Sequence, residues 1–190
     1  MTPDVISTLV TIGLAFTGYL FTYLHGRSVA RRESQLERVN AQLRNLYGPL
    51  FALLNQSNDI WKAFTENFWP AHGQSAYFVE GQTTDAEKSV WRVWMKTVFM
   101  PLNDKIEAVI VENADLIVGE EFPQVFKECL AHIAAYRPVI DQWAAGDFSS
   151  HTSYCNWPGD RLYSDVEKQY QQLRRTQIRL IRGLRMNTQD

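Results

Sequence analysis

Hydrophobic residues recur along most of the chain at spacings of three and four, the pattern of a helix with one buried face. The first such stripe crosses Gly48-Pro49. We expect a kink there, because proline lacks an amide hydrogen and disfavours helix in the preceding residue. The stripe consists of Leu36, Val39, Leu43, Leu46, Leu50, Leu53, Ile60, Phe64 and Phe68.

A second helix is predicted to begin at Thr84, because Thr84-x-x-Glu87 has the form of a capping box. Pro101 predicts another kink inside this helix. Its apolar positions are Trp91, Met95, Val98, Leu102, Ile106, Val109 and Leu116.

A third helix is predicted from about Pro123, since proline suits a first turn, and Gly146 is a suitable stop. Its apolar face holds Phe126, Cys129, Ile133, Tyr136, Ile140 and Trp143. The fourth is predicted to open at a second capping box, Ser164-x-x-Glu167. It continues through Tyr170, Leu173, Gln177, Leu180 and Leu184.

Strand-like sequence is confined to Tyr77–Glu80. Four amphipathic helices with modest connections predict an all-α fold, an antiparallel up-down-up-down four-helix bundle. In that topology the loops 70–83 and 146–163 share one pole, and the loop 117–122 lies at the other.

A run of twenty uncharged residues, Val5–Leu24, precedes these stripes. A helix of this length crosses about 30 Å of hydrocarbon. The positive charges Arg27, Arg31 and Arg32 follow the run, whereas a secretory signal carries them before it and ends in a small-residue cleavage site. We interpret the run as a retained transmembrane helix. A buried helix of a soluble core is the alternative, because Ser and Thr residues make it only moderately apolar.

The flanking charges predict orientation, since positive residues stay preferentially on the cytoplasmic side. We expect a short extracytoplasmic tail at 1–4, a transmembrane helix at 5–24, a juxtamembrane stalk helix at 25–47 and a cytoplasmic helical bundle at 48–190. The two cysteines are too few to cross-link such a domain, which agrees with a reducing compartment.

Composition excludes some classes of protein. The chain is 45% hydrophobic, which argues against disorder. Its net charge of −2 gives no electrostatic reason to expect a nucleic-acid partner.

The loop from Phe148 to Tyr163 combines aromatic, histidine and cysteine residues without helical periodicity. We predict a partner surface where this loop meets the loop 70–83, because loops on rigid scaffolds often carry recognition. The alternative is that its aromatic residues fold back and cap the bundle. The candidate partner surface consists of His72, Tyr77, His151, Tyr154 and Trp157.

Catalytic and metal sites have weak support. His151 and Cys155 resemble a base and a nucleophile only by residue type. A metal set with His72 and Asp147 added lacks the close spacing of ligand pairs. No phosphate-binding, metalloprotease or nucleophile-elbow motif is present. We therefore expect no catalytic residue, cofactor or metal.

Two polar groups in apolar sequence have ordinary explanations. Glu112 could approach His132 or Arg137 as part of an acid–base pair, but it lies outside the apolar stripe, which favours a solvent-facing side chain. Cys129 and His132 share a helix face, and a small hydrophobe and a satisfied histidine need no metal.

The last helix carries five arginines with no acid among them. A basic amphipathic helix binds anionic headgroups or acidic partners, and the alternative is a solvated face that pairs with Glu33 and Glu37. This candidate basic face consists of Arg174, Arg175, Arg179, Arg182 and Arg185.

Small residues form a stripe along the predicted transmembrane helix, the pattern that lets such helices approach closely. We predict self-association through this face, extended as a coiled coil by the leucines that follow. The transmembrane association face consists of Ser7, Thr11, Ala15, Gly18 and Thr22.

Three stretches, LYGPLFALL, FMPLNDKIEAVIVENADLI and HIAAYRPVIDQWAAGDFSSHTSYCNWPG, resemble a group of bacterial single-pass membrane proteins with a cytoplasmic helical domain. The resemblance implies a bacterial inner-membrane location, and no activity, cofactor or catalytic residue comes with it.

These patterns favour a non-enzymatic, membrane-anchored helical interaction module, a scaffold or sensor that forms homo-oligomers and docks a protein partner in the cytoplasm. Two alternatives stay open. One is a membrane-acting effector of the toxin or phage-defence type. The other is a small-molecule or metal-binding enzyme at the membrane-distal pole.

Overall fold

The structure is a computed structural model that describes the backbone of residues 3–69 and 81–187 and the side chains of 11–69 and 81–184. Within these ranges the chain forms helices and no strand, which confirms the all-α prediction. The strand candidate Tyr77–Glu80 lies outside the described residues. The α-helices are α1 (Pro3–Ala41), α2 (Gly48–Phe68), α3 (Asp85–Trp94), α4 (Met100–Glu112), α5 (Gln124–Ala144) and α6 (Gly159–Asn187).

Two π-helical segments precede proline residues. Gln42–Tyr47 joins α1 to α2 just before Pro49, and Met95–Phe99 joins α3 to α4 just before Pro101. A proline ring collides with the carbonyl four residues back in a regular α-helix, and a π turn displaces that carbonyl by one extra residue. The chain therefore stays helical through both prolines.

The residue before each proline makes the closing bond of the π turn. Gly48 donates its backbone N–H to the carbonyl of Leu43, and Met100 donates to Met95, in both cases five residues back. A Cβ on Gly48 would lie 2.3 Å from the Leu43 carbonyl oxygen, so only glycine fits this close approach.

The capping-box prediction at Thr84 is confirmed. Its hydroxyl accepts from the Glu87 N–H, and its own N–H donates to Glu87 Oε2 at 2.7 Å. The start predicted for the third helix is also confirmed, with Pro123 at the N-cap and Gly146 at φ +83° beyond the last turn.

The start predicted for the fourth helix is wrong. α6 begins at Gly159, which has φ +47°, and the N–H of Arg161 donates to the Pro158 carbonyl at 3.2 Å. The proline–glycine pair therefore starts the helix before the second capping box, and Ser164 lies exposed inside it.

The chain divides into two compact units, residues 41–173 and residues 1–40 with 174–190. In the first unit α2 packs against α4, and α4 packs against α5. α6 joins α2 through Phe51, whose ring lies 4.9 Å from Tyr170 and 5.9 Å from Tyr163. The described hydrophobic residues with no exposed surface are Leu46, Leu50, Phe64, Ile106, Ile110, Phe126, Cys129, Ile133, Leu162 and Val166.

Hydrogen bonds tie the connection after α4 to the first π segment of this unit. Gln42 Nε2 donates to the Leu116 carbonyl at 3.0 Å, and the Val118 N–H donates to the Tyr47 hydroxyl at 3.0 Å. Burial raises the pKa of Tyr47, with the Val118 hydrogen bond acting in the opposite direction, so its hydroxyl stays neutral.

In the second unit α1 and the end of α6 run antiparallel. Gln177 Nε2 donates to Asn40 Oδ1 at 2.6 Å, and Arg32 Nη1 donates to the Gly183 carbonyl at 3.3 Å. Later residues of α1 thus contact earlier residues of α6, as expected for antiparallel helices.

Within the described part of the chain, no helix is both long and apolar enough to cross a membrane. The side chains of residues 5–10, the start of the predicted transmembrane run, lie outside the described part of the chain.

Candidate functional site

A cavity of about 580 Å³ lies within the unit 41–173. Its wall is formed by four parts of the chain. They are α2, α5, the loop before α6, and the continuous helix that α3, the second π segment and α4 form together. Ligand sites in proteins have volumes of about 300–1,000 Å³. This cavity is therefore large enough to hold a small molecule.

Aromatic rings form one wall of the cavity. The ring of Trp61 on α2 lies 6.3 Å from Trp91, edge to face, and 5.9 Å from Phe99. Trp91 and Phe99 are 6.0 Å apart on the same continuous helix. Met95 and Phe99 are the first and last residues of the π turn, and both face the cavity.

His132 on α5 also lines the cavity. Its Nδ1 lies 2.6 Å from the Cys155 carbonyl oxygen, an acceptor, so Nδ1 carries the hydrogen and donates. Its ring contacts Tyr136 at 5.1 Å and Trp157 at 5.3 Å between centroids. Burial lowers the pKa of His132, with the Cys155 hydrogen bond acting in the opposite direction, and this favours the neutral ring.

Tyr136 also lines the cavity as a neutral group. Burial raises the pKa of its hydroxyl to about 12, although hydrogen bonds from the Ser153 backbone and the Trp91 side chain act in the opposite direction. The Ser153 bond and the Cys155–His132 contact attach the loop to α5, and the Trp91 bond joins α5 to α3.

The structure separates the residues of the predicted partner surface. Trp157 packs against His132, and the His151 ring lies 6.5 Å from the Trp91 ring. Tyr154 is 100% exposed. His72 and Tyr77 lie outside the described residues. The loop therefore places two of these aromatic rings against the core and one in solvent.

The predicted weak sites gain no support from the geometry. The Cys155 carbonyl binds His132, and both cysteines are free thiols. Burial raises the pKa of the Cys129 thiol to about 12, which makes it a poor nucleophile. Among the described residues no group of three or more His, Cys, Asp and Glu side chains could hold a metal ion.

Glu112 is exposed, as its position outside the stripe predicts. Arg137 instead pairs with Glu107 and with Asp104, the latter at 3.1 Å. These two carboxylates raise the pKa of Arg137.

The basic face belongs to the unit formed by residues 1–40 and 174–190. Arg174, Arg175, Arg179 and Arg182 are exposed, and the Arg185 side chain lies outside the described residues. No ion pair between described side chains joins these arginines to Glu33 or Glu37.

Of the transmembrane association face, Thr11, Ala15, Gly18 and Thr22 are exposed, and the Ser7 side chain lies outside the described residues. Thr22 Oγ1 donates to the Gly18 carbonyl at 2.9 Å, and a Cβ on Gly18 would meet nothing within 4 Å.

Two cavity residues were missed by the sequence pattern. Asn103 follows Trp91, Met95 and Phe99 at steps of four and is buried like them, but ideal spacing placed Val98 and Leu102 on that face. His132 was interpreted as an ordinary core histidine. With the π turn taken into account, Asn103 is a polar residue in an otherwise apolar buried stripe, and this is the signal that identifies it.

Comparison with known proteins gives no family: no family model, no curated protein and no solved structure matches this chain.

Proposed function

We propose that this protein is a single-pass membrane protein of the bacterial inner membrane, whose cytoplasmic four-helix bundle acts as an interaction module, a scaffold or sensor. One observation carries the membrane anchor. Large hydrophobic side chains of α1 are 43–73% exposed instead of forming a core. They are Ile12, Leu14, Phe16, Tyr19, Leu20, Phe21, Tyr23 and Leu24.

The distribution of these side chains around α1 fits a membrane helix better than a surface helix. At about 100° per residue they cover a broad arc, whereas a soluble surface helix keeps a polar face. The remaining arc holds the small residues Thr11, Ala15, Gly18 and Thr22. This division supports lipid contact on one side and helix–helix contact on the other.

Self-association through the small-residue arc is part of the proposal. A Cβ on Gly18 would meet nothing within 4 Å, so room remains for a second copy of α1. The same arc favours the second candidate function, an effector whose anchors assemble to perturb the bilayer.

The charge of the unit 1–40 with 174–190 supports the orientation. Residues 25–40 contain four arginines and residues 174–184 contain four more, against the two acids Glu33 and Glu37. Positive charge close to a membrane helix is retained on the cytoplasmic side. The proposal therefore has the C-terminal part of the chain in the cytoplasm.

The antiparallel pairing within this unit brings both sets of arginines close to the proposed bilayer surface. Arg32 contacts Gly183 and follows Leu24 by eight positions, a rise of about 12 Å along a helix. Anionic headgroups attract basic residues over about 10 Å at physiological salt. The arginines of α6 thus lie within reach of the same leaflet as those of α1.

The docking part of the proposal is placed on the loop before α6. Tyr154 is fully exposed, and Phe148 is 55% exposed with the Arg92 guanidinium 4.4 Å from its ring centre. Exposed aromatic residues are enriched at protein interfaces because they bury a large area. Trp157 and His151 of the same loop contact the rings of His132 and Trp91 in the core.

Topology reporters test the anchor and its direction. A C-terminal alkaline phosphatase fusion should be inactive, a C-terminal fluorescent-protein fusion should fluoresce, and alkaline carbonate should leave the protein in the membrane. Leu14→Arg should release protein into the soluble fraction, because an arginine at the centre of a span costs about 3 kcal/mol.

Glu37→Arg is the matched control, since it adds an arginine to the same helix outside the span. It should leave the protein in the membrane. Release of the wild-type protein by carbonate would contradict the anchor, and an active phosphatase fusion would reverse the orientation.

A further inference from the structure

Two buried polar side chains of the cavity wall have hydrogen-bonding atoms that no described residue satisfies. Asn103 is 6% exposed and His132 is 9% exposed, and both line the cavity. The Asn103 amide makes no hydrogen bond to a described residue, and His132 makes only the Nδ1 bond to Cys155. Buried polar groups in native proteins almost always have a partner. Something other than this part of the chain therefore completes them.

The hydrogen-bonding capacity of these groups defines what fits. The Cys155 carbonyl fixes the hydrogen of His132 on Nδ1, so Nε2 of the neutral ring is an acceptor that requires a donor. The Asn103 amide offers one acceptor and two donor hydrogens, and it can pair with adjacent donor and acceptor atoms of a flat ring.

The walls define the shape and charge of the occupant. Trp61, Trp91, Phe99 and Trp157 supply aromatic surface, which favours a planar ring system. Among the described residues, the lining contains no Lys or Arg, and Asp160 is its one acid. An anionic ligand would therefore lose its hydration without gaining a counter-charge.

We propose that this cavity binds an uncharged, planar nitrogen heterocycle of the nucleobase class, with an N–H that donates to His132 Nε2 and a neighbouring donor–acceptor edge that pairs with Asn103. This site goes beyond the proposed function, because nothing in membrane anchoring or partner docking requires a small ligand. The absence of binding would leave the topology results unchanged, and failure of the anchor would leave the cavity intact.

Calorimetry and saturation-transfer NMR on the full chain in detergent micelles test the proposal. The probes are adenine, hypoxanthine and benzimidazole as neutral heterocycles, adenosine monophosphate as an anionic one, and choline as an organic cation. At least one neutral probe should bind saturably with one site per chain, and adenosine monophosphate should bind at least tenfold more weakly than adenine.

Preferential binding of choline would show an aromatic cage for quaternary ammonium groups and would overturn the proposal. The absence of saturable binding by every neutral heterocycle would show a cavity filled by water alone and would also overturn it.

Variants separate a ligand site from a structural role. Asn103→Leu should weaken binding of the best probe at least tenfold and leave the melting temperature of the unliganded protein equal or higher, because it removes an unpaired buried amide. Tyr154→Ala, a fully exposed residue outside the cavity wall, should leave binding unchanged.

A second substitution keeps the test decisive if Asn103→Leu fails to fold. Asn103→Asp keeps the shape of the side chain and removes its amide donors, so it should also weaken binding at least tenfold. Unchanged affinity in whichever of these two variants folds would assign Asn103 a structural role and overturn the proposal.

Discussion

At the scale of single residues, His132 connects the loop before α6 to the core. Its Nδ1–H donates to the Cys155 carbonyl, which also accepts from the Ser153 hydroxyl at 3.0 Å. Protonation would place a second hydrogen and a positive charge in an aromatic setting that favours the neutral ring. Burial of this one side chain therefore opposes its protonation in the folded protein.

His132 gives a prediction about pH. Because burial lowers its pKa in the folded protein, the unfolded chain binds more protons as the pH falls below about 6.5, and the free energy of unfolding decreases. The midpoint of urea unfolding should therefore fall between about pH 7.5 and about pH 5.5, above the range in which ordinary carboxylates titrate.

The matched variants isolate this one group. His132→Asn keeps a donor near the position of Nδ1 and removes the titration, so its unfolding midpoint should depend less on pH. His25→Asn, which replaces an exposed histidine on α1, should retain the wild-type slope. Equal slopes in all three proteins would show that His132 does not contribute.

At the scale of elements, the two capping-box sequences show how local context decides the outcome. Thr84-x-x-Glu87 starts α3, whereas Ser164-x-x-Glu167 lies inside α6 because Pro158 and Gly159 already start the helix. The four-letter pattern is the same in both places. The backbone before it decides whether it forms a cap.

The same pair of sequences gives a direct mutational prediction. Thr84→Ala removes the cap of α3 and should lower the free energy of unfolding by about 1 kcal/mol. Ser164→Ala replaces an exposed residue inside a helix by a better helix former and should change it by less than about 0.5 kcal/mol, in the stabilising direction. Urea denaturation followed by circular dichroism measures both, and equal losses would contradict the assigned start of α6.

Much of the helical core was predictable, because spacing identified buried residues on either side of each proline. Leu46 and Leu50 around Pro49 and Ile106 after Pro101 are examples. The register within the second stripe was not predictable. Ideal spacing selected Val98 and Val109, whereas the π turn buries Phe99, Asn103 and Ile110.

At the scale of the whole molecule, the cavity could not be predicted from the sequence. The cavity joins residues from α2, α4 and α5 and from the loop before α6, and no spacing rule relates positions so far apart in sequence. The candidate loop was identified because its composition is unusual. Asn103 and His132, which line the same cavity, lie inside helices, and ideal spacing left Asn103 outside the predicted buried face.

The basic face of the unit 1–40 with 174–190 leads to a prediction about the whole protein in a membrane. In full-length protein reconstituted in nanodiscs, backbone amides of residues 174–184 should exchange hydrogen more slowly with anionic phosphatidylglycerol present than in neutral lipid. High salt should remove the difference. Each basic residue near such a surface contributes about 1 kcal/mol.

Charge reversal tests whether the arginines cause this protection. Arg179→Glu with Arg182→Glu should abolish the lipid-dependent difference. Lys105→Glu with Lys127→Glu changes the net charge equally at exposed positions of the other unit and should preserve it. Loss of protection in both double variants would assign the effect to net charge instead of to this face.

The π turn at Met95–Phe99 determines how this helix would respond to the loss of one residue. The π turn is equivalent to one residue inserted into a regular α-helix. The insertion changes which residues of α4 lie on the same face as Trp91. Removing a single residue there would restore continuous α-helical winding and leave the downstream residues in their present phase relative to Trp91, so Asn103 would stay in the cavity. Conversion of the π turn to regular α-helix without a deletion would instead rotate the downstream part by about 100° and bring Val98 and Leu102 to the positions of Phe99 and Asn103. One extra residue held in the π turn therefore decides whether a leucine or an asparagine lines the cavity.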